Sequence, residues 1–121
     1  MKLRLLDNTL RLRLDRREVD ALGQGEPQGA VTQFPGGEEF AYRIEPTSGA
    51  VAAAANAQGI TVFVPALQLQ AWAQDDQQVG IRECLPLAAG SLTLLIEKDF
   101  ECLEPRSGED QSNRFVNPKA R

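Results

Sequence analysis

The feature that most constrains the fold is a pattern that occurs twice, fifty positions apart. The stretch TLRLRLDRREVDALGQ (9–24) aligns without a gap with GITVFVPALQLQAWAQ (59–74). Each stretch starts with apolar residues at every second position and then changes to apolar residues at helical spacing. The pattern therefore predicts, in each half, a strand that runs directly into a short helix. The alternating positions are Leu10, Leu12 and Leu14 in the first stretch and Ile60, Val62 and Val64 in the second.

Flanking segments extend the correspondence on both sides. KLRLLD and VAAAAN precede the two stretches, and the pairs GAVTQF with FAYRIE and QVGIREC with SLTLLIEKDF follow them. VAAAAN also fits a helix capped by Ser48, because alanine favours helices, but its place in the repeat favours a strand. The aromatic residues are expected at core positions: Phe34, Phe40, Tyr42, Phe63 and Trp72.

Together these patterns predict an α+β fold built from two ββαββ halves. We expect about eight strands in a mainly antiparallel sheet or a partly closed barrel, with two short helices. Residues 1–103 are predicted to form a single domain with an internal pseudo-repeat, 1–46 and 50–100. The remaining segment, 104–121, has two prolines and mixed charges, which favours an irregular tail.

The first hairpin is predicted to present a basic face. Asp7 and Asn8 suit a two-residue turn, since both tolerate positive φ. This turn would place Lys2 opposite Arg13 and Arg4 opposite Arg11, with leucines on the other face. Like charges directly opposite each other on a sheet are destabilising, so negative groups should lie nearby.

Two explanations of this basic face remain open. The first is that acidic side chains of the same protein, or solvent alone, balance the cations. The second is that the four side chains form an anion-binding site for a phosphate, a nucleotide or an acidic partner surface, since arginine binds such groups bidentately. The anion-binding candidates are Lys2, Arg4, Arg11 and Arg13.

An acidic row is predicted on the last strand. In SLTLLIEKDFECL the residues Glu97, Asp99 and Glu101 share one face. They are weak metal-ligand candidates, because carboxylate oxygens suit Mg²⁺ or Mn²⁺. The row resembles the acidic strand motif of the triphosphate tunnel metalloenzymes, although that family carries Glu-x-Glu-x-Lys near its N-terminus. The alternative is that the acidic row lies beside the basic hairpin and balances its charge.

Several kinds of catalytic chemistry are disfavoured by what the chain lacks. It contains no histidine, which removes the commonest general base and the Ser-His and Cys-His nucleophile pairs. Neither a GxxxxGK[ST] phosphate loop nor a GxGxxG fingerprint occurs. These absences favour a protein that is not an enzyme without deciding the question, and no cofactor is expected.

Charge and cysteine content indicate the cellular setting. The formal net charge is -4, and no aromatic residue interleaves the basic hairpin, so nucleic-acid binding is not expected. Charges interrupt the N-terminal segment and no long apolar run follows, so we expect neither a signal peptide nor membrane association. Cys84 and Cys102 are expected to be free thiols, which is typical of a cytoplasmic protein.

One family resemblance covers most of the chain. The ending EKDFECLEPRSGEDQSNRFVNP, the opening KLRLLDNTLRLRL and the segment VTQF resemble a family of small, uncharacterised bacterial proteins. The C-termini of that family run Glu-Lys-Asp-Phe-x-Cys-Leu and later Phe-x-Asn-Pro, with no known activity. We expect an interaction or small-ligand-binding module whose partner is another protein or a second copy. The alternative is a phosphate-, nucleotide- or divalent-metal-binding protein or phosphoanhydride hydrolase.

Overall fold

The computed structural model describes residues 1–99, which contain eight strands and two helices. The predictions for Glu101, for Cys102 and for the tail at 104–121 lie outside the described residues. The element order is ββαββ followed by ββαββ, as predicted. The elements are β1 Lys2–Leu6, β2 Thr9–Leu14, α1 Arg16–Gly23, β3 Gln28–Gln33, β4 Glu39–Thr47, β5 Ala52–Asn56, β6 Gly59–Pro65, α2 Ala66–Gln74, β7 Gly80–Pro86 and β8 Ser91–Lys98.

The eight strands form two mixed sheets, and each sheet contains one hairpin from each half. The first sheet has the order β1-β2-β8-β7, and the second has the order β3-β4-β6-β5. The hairpins are antiparallel, whereas the central pairs β2/β8 and β4/β6 are parallel. The α+β class is confirmed. The partly closed barrel is wrong for residues 1–99, because the strands pair in two separate sheets and no strand of one pairs with a strand of the other.

Local sequence explains the two β-turns that open the halves. Asp7 adopts a positive φ of 52°, and the register is the predicted one, with Lys2 opposite Arg13 and Arg4 opposite Arg11. In the second half the side chain of Asn56 accepts hydrogen bonds from the backbone N–H groups of Gln58 and Gly59. The preceding alanines form β5, because pairing with β6 outweighs the helix preference of alanine.

The two helices start differently and pack against each other. Asp15 caps α1 in a capping box with Glu18, whereas α2 starts after Pro65 without a side-chain cap. Gly23 permits the close approach of the helices, since a Cβ there would lie 2.6 Å from the Cβ of Ala73. Among residues 1–99, neither helix is long and apolar enough to cross a membrane.

One hydrophobic core joins both sheets and both helices. The predicted alternating residues of β2 and β6 are all buried, and Trp72 of α2 is fully buried among them. Phe40 and Tyr42 pack against the core only in part. The expectation of a core position is wrong for Phe34, which is 50% exposed because it lies beyond the end of β3, in the connection to β4.

Gly59, at the start of β6, is expected to be indispensable for the second sheet. Its φ is 153°, and a Cβ there would lie 1.7 Å from the carbonyl oxygen of Ala41 in the neighbouring strand. We expect Gly59→Ala to lower the free energy of unfolding by roughly 3–4 kcal/mol, measured by urea denaturation. The control is Gly37→Ala. There φ is also positive, but an added Cβ would have no atom within 4 Å apart from its chain neighbours, so the free energy of unfolding should fall by about 1 kcal/mol. Equal losses would contradict the steric explanation.

Candidate functional site

The candidate site is the outer face of the first sheet, opposite the core. Residues paired across strands share a face, and the intervening residues Leu12, Leu94 and Ile96 are buried. The strand pairing arranges the outward residues in rows across the sheet, and two of these rows carry the charges. One row is Lys2, Arg13, Glu97 and Gly80, and the other is Arg4, Arg11, Leu95 and Arg82. We call this surface the basic face and the second row the arginine row.

Carboxylates of the last strand balance part of this charge. Arg11 donates from Nε to Glu97 Oε1 at 2.7 Å, and the Nε of Arg13 lies 3.7 Å from the same oxygen. The Nζ of Lys2 lies 3.1 Å from Asp99 Oδ2. The sequence-based alternative in which the acidic row lies beside the basic hairpin is therefore confirmed for Glu97 and Asp99.

The arginine row itself contains no carboxylate. Arg4 and Arg82 are exposed, and within residues 1–99 neither takes part in an ion pair. Arg11 shares the row, and its ion pair within the described part of the chain is with Glu97 of the adjacent row. Positive charge is therefore in excess at this level of the sheet.

Arg82 is a member of the site that the sequence reasoning missed. Its strand was predicted, and the alternation in GIREC already places Arg82 on the face opposite Ile81. The missing information was the strand order, because only the β2/β8 pairing places β7 in the same sheet as the basic hairpin. Predicted anion-binding residues and Arg82 thus form one surface.

The charged residues of the basic face do not enclose a cavity. Arg11, Arg13, Glu97 and Asp99 border a shallow surface depression of about 260 Å³. The side chains of Lys2 and Arg13 are 59% and 45% exposed. In the described part of the chain, no group of three acidic, cysteine or histidine side chains could hold a metal ion. Glu97 and Asp99 instead form ion pairs with cationic side chains of the protein itself.

Lys98 alternates with these acids and points to the core. It is 3% exposed; its Nζ donates to the carbonyl of Asp75 at 2.7 Å and lies 5.8 Å from the centre of the Trp72 ring. A cation at the end of α2 interacts favourably with the helix dipole. Burial lowers the pKa of Lys98, while the nearby carboxylates of Asp76 and Asp75 partly oppose this shift. The lysine therefore ties β8 to α2 and does not belong to the basic face.

Comparison with known proteins identifies a family. The model of a family of unknown function, DUF7009, matches residues 1–119. Neither a search of curated proteins nor a search of solved structures finds a match.

Glu97 is expected to stabilise the fold by separating the arginines. In Glu97→Gln the side chain keeps its shape but loses its charge, so repulsion among Arg4, Arg11 and Arg13 is no longer balanced. We expect the free energy of unfolding to fall by about 1 kcal/mol at low salt. This deficit should shrink in about 1 M NaCl, where the Debye length is only about 3 Å.

The matched control for this change is Glu45→Gln. Glu45 forms an ion pair with Arg43 on the other sheet, and the residue opposite it on β6 is the uncharged Phe63. In Glu45→Gln the free energy of unfolding should fall by no more than about 0.5 kcal/mol, and this change should be nearly independent of salt. Urea denaturation of both variants at two salt concentrations measures the difference, and a deficit in Glu97→Gln that does not respond to salt would contradict the charge-balance explanation.

Lys98 is expected to make stability depend on alkaline pH. Its pKa is lower in the folded protein than the usual 10.5, so the unfolded chain binds more protons between the two values and stability rises with pH there. The cost of burying the charge is fully present below the folded pKa. Relative to Lys98→Met, the wild-type protein should gain stability as pH approaches about 10.5. Urea denaturation of both proteins in pH steps from about pH 8 measures this gain. If the free energy of unfolding depends on pH in the same way in both proteins, Lys98 does not cause the pH dependence.

Proposed function

The chain belongs to the family of unknown function DUF7009. Because the family does not indicate a function, we propose one from the charges and contacts of the basic face. The protein is a non-enzymatic interaction module that binds an acidic segment of a partner protein on the basic face. The observation that carries this proposal is the excess of cations on that face. Among residues 1–99, five cations and two carboxylates lie there: Lys2, Arg4, Arg11, Arg13 and Arg82 against Glu97 and Asp99.

This excess is opposite in sign to the charge of the whole chain. The formal net charge is -4, so the basic face is a local concentration of positive charge on an acidic protein. Such a surface attracts an anionic partner and orients it during encounter, while the remaining surface repels it. Charge complementarity thus supports an acidic occupant for this face.

The composition of the face favours a protein segment over nucleic acid. The arginine row contains Leu95 and no aromatic side chain, whereas proteins that bind single strands use aromatic rings to stack the bases. Arginine forks bind carboxylates bidentately, and a leucine between them offers an apolar contact. A peptide with acidic and apolar side chains supplies both partners.

The alternative function is binding of a phosphate, a nucleotide or a divalent metal, or hydrolysis of a phosphoanhydride. The observation in its favour is that Arg11, Arg13, Glu97 and Asp99 border the same depression. In this arrangement the two carboxylates already accept cations of the protein, so a metal ion would have to displace them. The open surface therefore favours the interaction module.

Four further expectations accompany the proposal. A bacterial origin and a cytoplasmic location follow from the resemblance and from the cysteine content discussed above. The correspondence of the halves indicates an internal repeat. A second copy of this chain is the other partner to test, and it would make the protein a homodimer. Size-exclusion chromatography with light scattering tests the last of these.

The test uses labelled poly-L-glutamate as the probe in a fluorescence anisotropy titration at low salt. We expect the wild-type protein to bind it and Arg4→Ser/Arg82→Ser to bind roughly tenfold more weakly, which corresponds to about 1.4 kcal/mol. Both residues are exposed and unpaired within residues 1–99, so the fold should be unaffected.

A charge-matched double variant controls for net charge. Arg17→Ser/Arg43→Ser removes the same two positive charges, but from α1 and from the second sheet. We expect its affinity to stay within about twofold of the wild type. Equal weakening in both variants would show a nonspecific charge effect and overturn the proposal.

Two more probes test the alternatives. Single-stranded polyuridylate should bind more weakly than poly-L-glutamate of equal charge. Inorganic triphosphate with Mg²⁺ should not raise the melting temperature, whereas a ligand at 100 times its dissociation constant stabilises by about 2.7 kcal/mol. A clear stabilisation by triphosphate would favour the phosphate-binding function instead.

A further inference from the structure

The arginine row has a spacing that distinguishes between partner conformations. Its four residues come from four neighbouring strands in the order Arg4, Arg11, Leu95 and Arg82. Neighbouring strands lie about 4.8 Å apart, so the row presents a side chain about every 4.8 Å and spans about 14 Å. A partner that follows the row must supply its own side chains at a similar interval.

An α-helix meets this requirement and an extended strand does not. One face of a helix presents a side chain once per turn, every 5.4 Å, so three turns cover about 16 Å. An extended strand presents side chains on one face about every 6.7 Å. Over the same length of about 14 Å a strand supplies three side chains on one face, so it cannot offer one to each of the four residues of the row.

We infer that the partner segment is an amphipathic acidic helix that lies across the strands of the first sheet, on the arginine row. This inference rests on the proposed function and specifies its ligand. The helix carries acidic residues on two successive turns, an apolar residue on the third and an acidic residue on the fourth. These positions, i, i+4, i+7 and i+11, face Arg4, Arg11, Leu95 and Arg82 in turn.

The charged side chains make this crossing direction feasible. The contact is made by the guanidinium groups, which are carried away from the sheet on flexible stems. Their reach accommodates both the twist of the sheet and the difference of about 2 Å between three helical turns and three strand spacings. Arg11 remains 28% exposed beside Glu97, so it can take a second carboxylate.

The test compares two labelled peptides of identical composition. The helical-register peptide has Glu at i, i+4 and i+11 and Leu at i+7, with Ala and Gln elsewhere. The shuffled peptide has the same Glu and Leu residues at alternating positions, which matches a strand. We expect the helical-register peptide to bind the full-length protein about tenfold more tightly and to gain helical circular dichroism on binding.

A double-mutant cycle tests the position of Leu95. In Leu95→Thr the strand preference is kept while the apolar contact is reduced. We expect this change to weaken the helical-register peptide about fivefold, but to leave the affinity of its Leu-to-Ala analogue within about twofold. Thermal unfolding of the variant verifies that the sheet is intact.

The outcomes separate this inference from the proposed function. Equal affinity of the two peptides, without a gain in helicity, overturns the helical partner while binding of poly-L-glutamate through Arg4 and Arg82 still stands. Failure of both peptides and of poly-L-glutamate overturns both proposals. Tighter binding of the shuffled peptide assigns the face to an extended acidic segment and also overturns the helix.

Discussion

The parallel pairing of β2 with β8 is the interaction on which the rest of the structure depends. A two-stranded hairpin alone is at best marginally stable in water. Here the hairpin β1-β2 is extended to four strands by a hairpin from the other half, and β4 is paired with β6 in the same way. Each sheet therefore exists only because both halves contribute to it, and one core serves both.

The same pairing creates the candidate site. It places Glu97 between Arg11 and Arg13, and it brings Arg82 into the row that starts with Arg4. The two carboxylates pair with the cations within their reach, whereas Arg4 and Arg82 have no ion-pair partner within residues 1–99. The basic face thus combines a row whose ion pairs stabilise the sheet with the arginine row, whose cations are available to a partner.

Much of the fold could be predicted from local patterns. The alternation in β2 and β6, the Asp7-Asn8 turn and the Asp15 capping box each depend on neighbours in sequence, and the structure contains all three. The charge-balancing role of Glu97 could also be predicted, because its alternation and the like-charged pairs opposite each other are both visible in the chain.

Long-range strand order could not be predicted in this way. Several orders of the same hairpins satisfy the alternation equally well, so neither the two separate sheets nor the membership of Arg82 in the site follows from it. The alternation in β8 already placed Lys98 on the inward face. It did not indicate which groups Lys98 contacts there. The carbonyl of Asp75 and the Trp72 ring come from the end of α2, and only the packing of that helix on the sheet brings them together.

The β2/β8 pairing also determines when the first sheet can form during synthesis. Asn8 and Ser91, which meet at its start, are 83 residues apart, so loop closure makes this contact slow compared with the hairpin turns. On the ribosome, β2 emerges long before β8 and keeps an unpaired edge until nearly all of the described chain has been made. The alternating arginines of β2, which later contribute to the basic face, meanwhile give that edge like charges that oppose pairing with other chains.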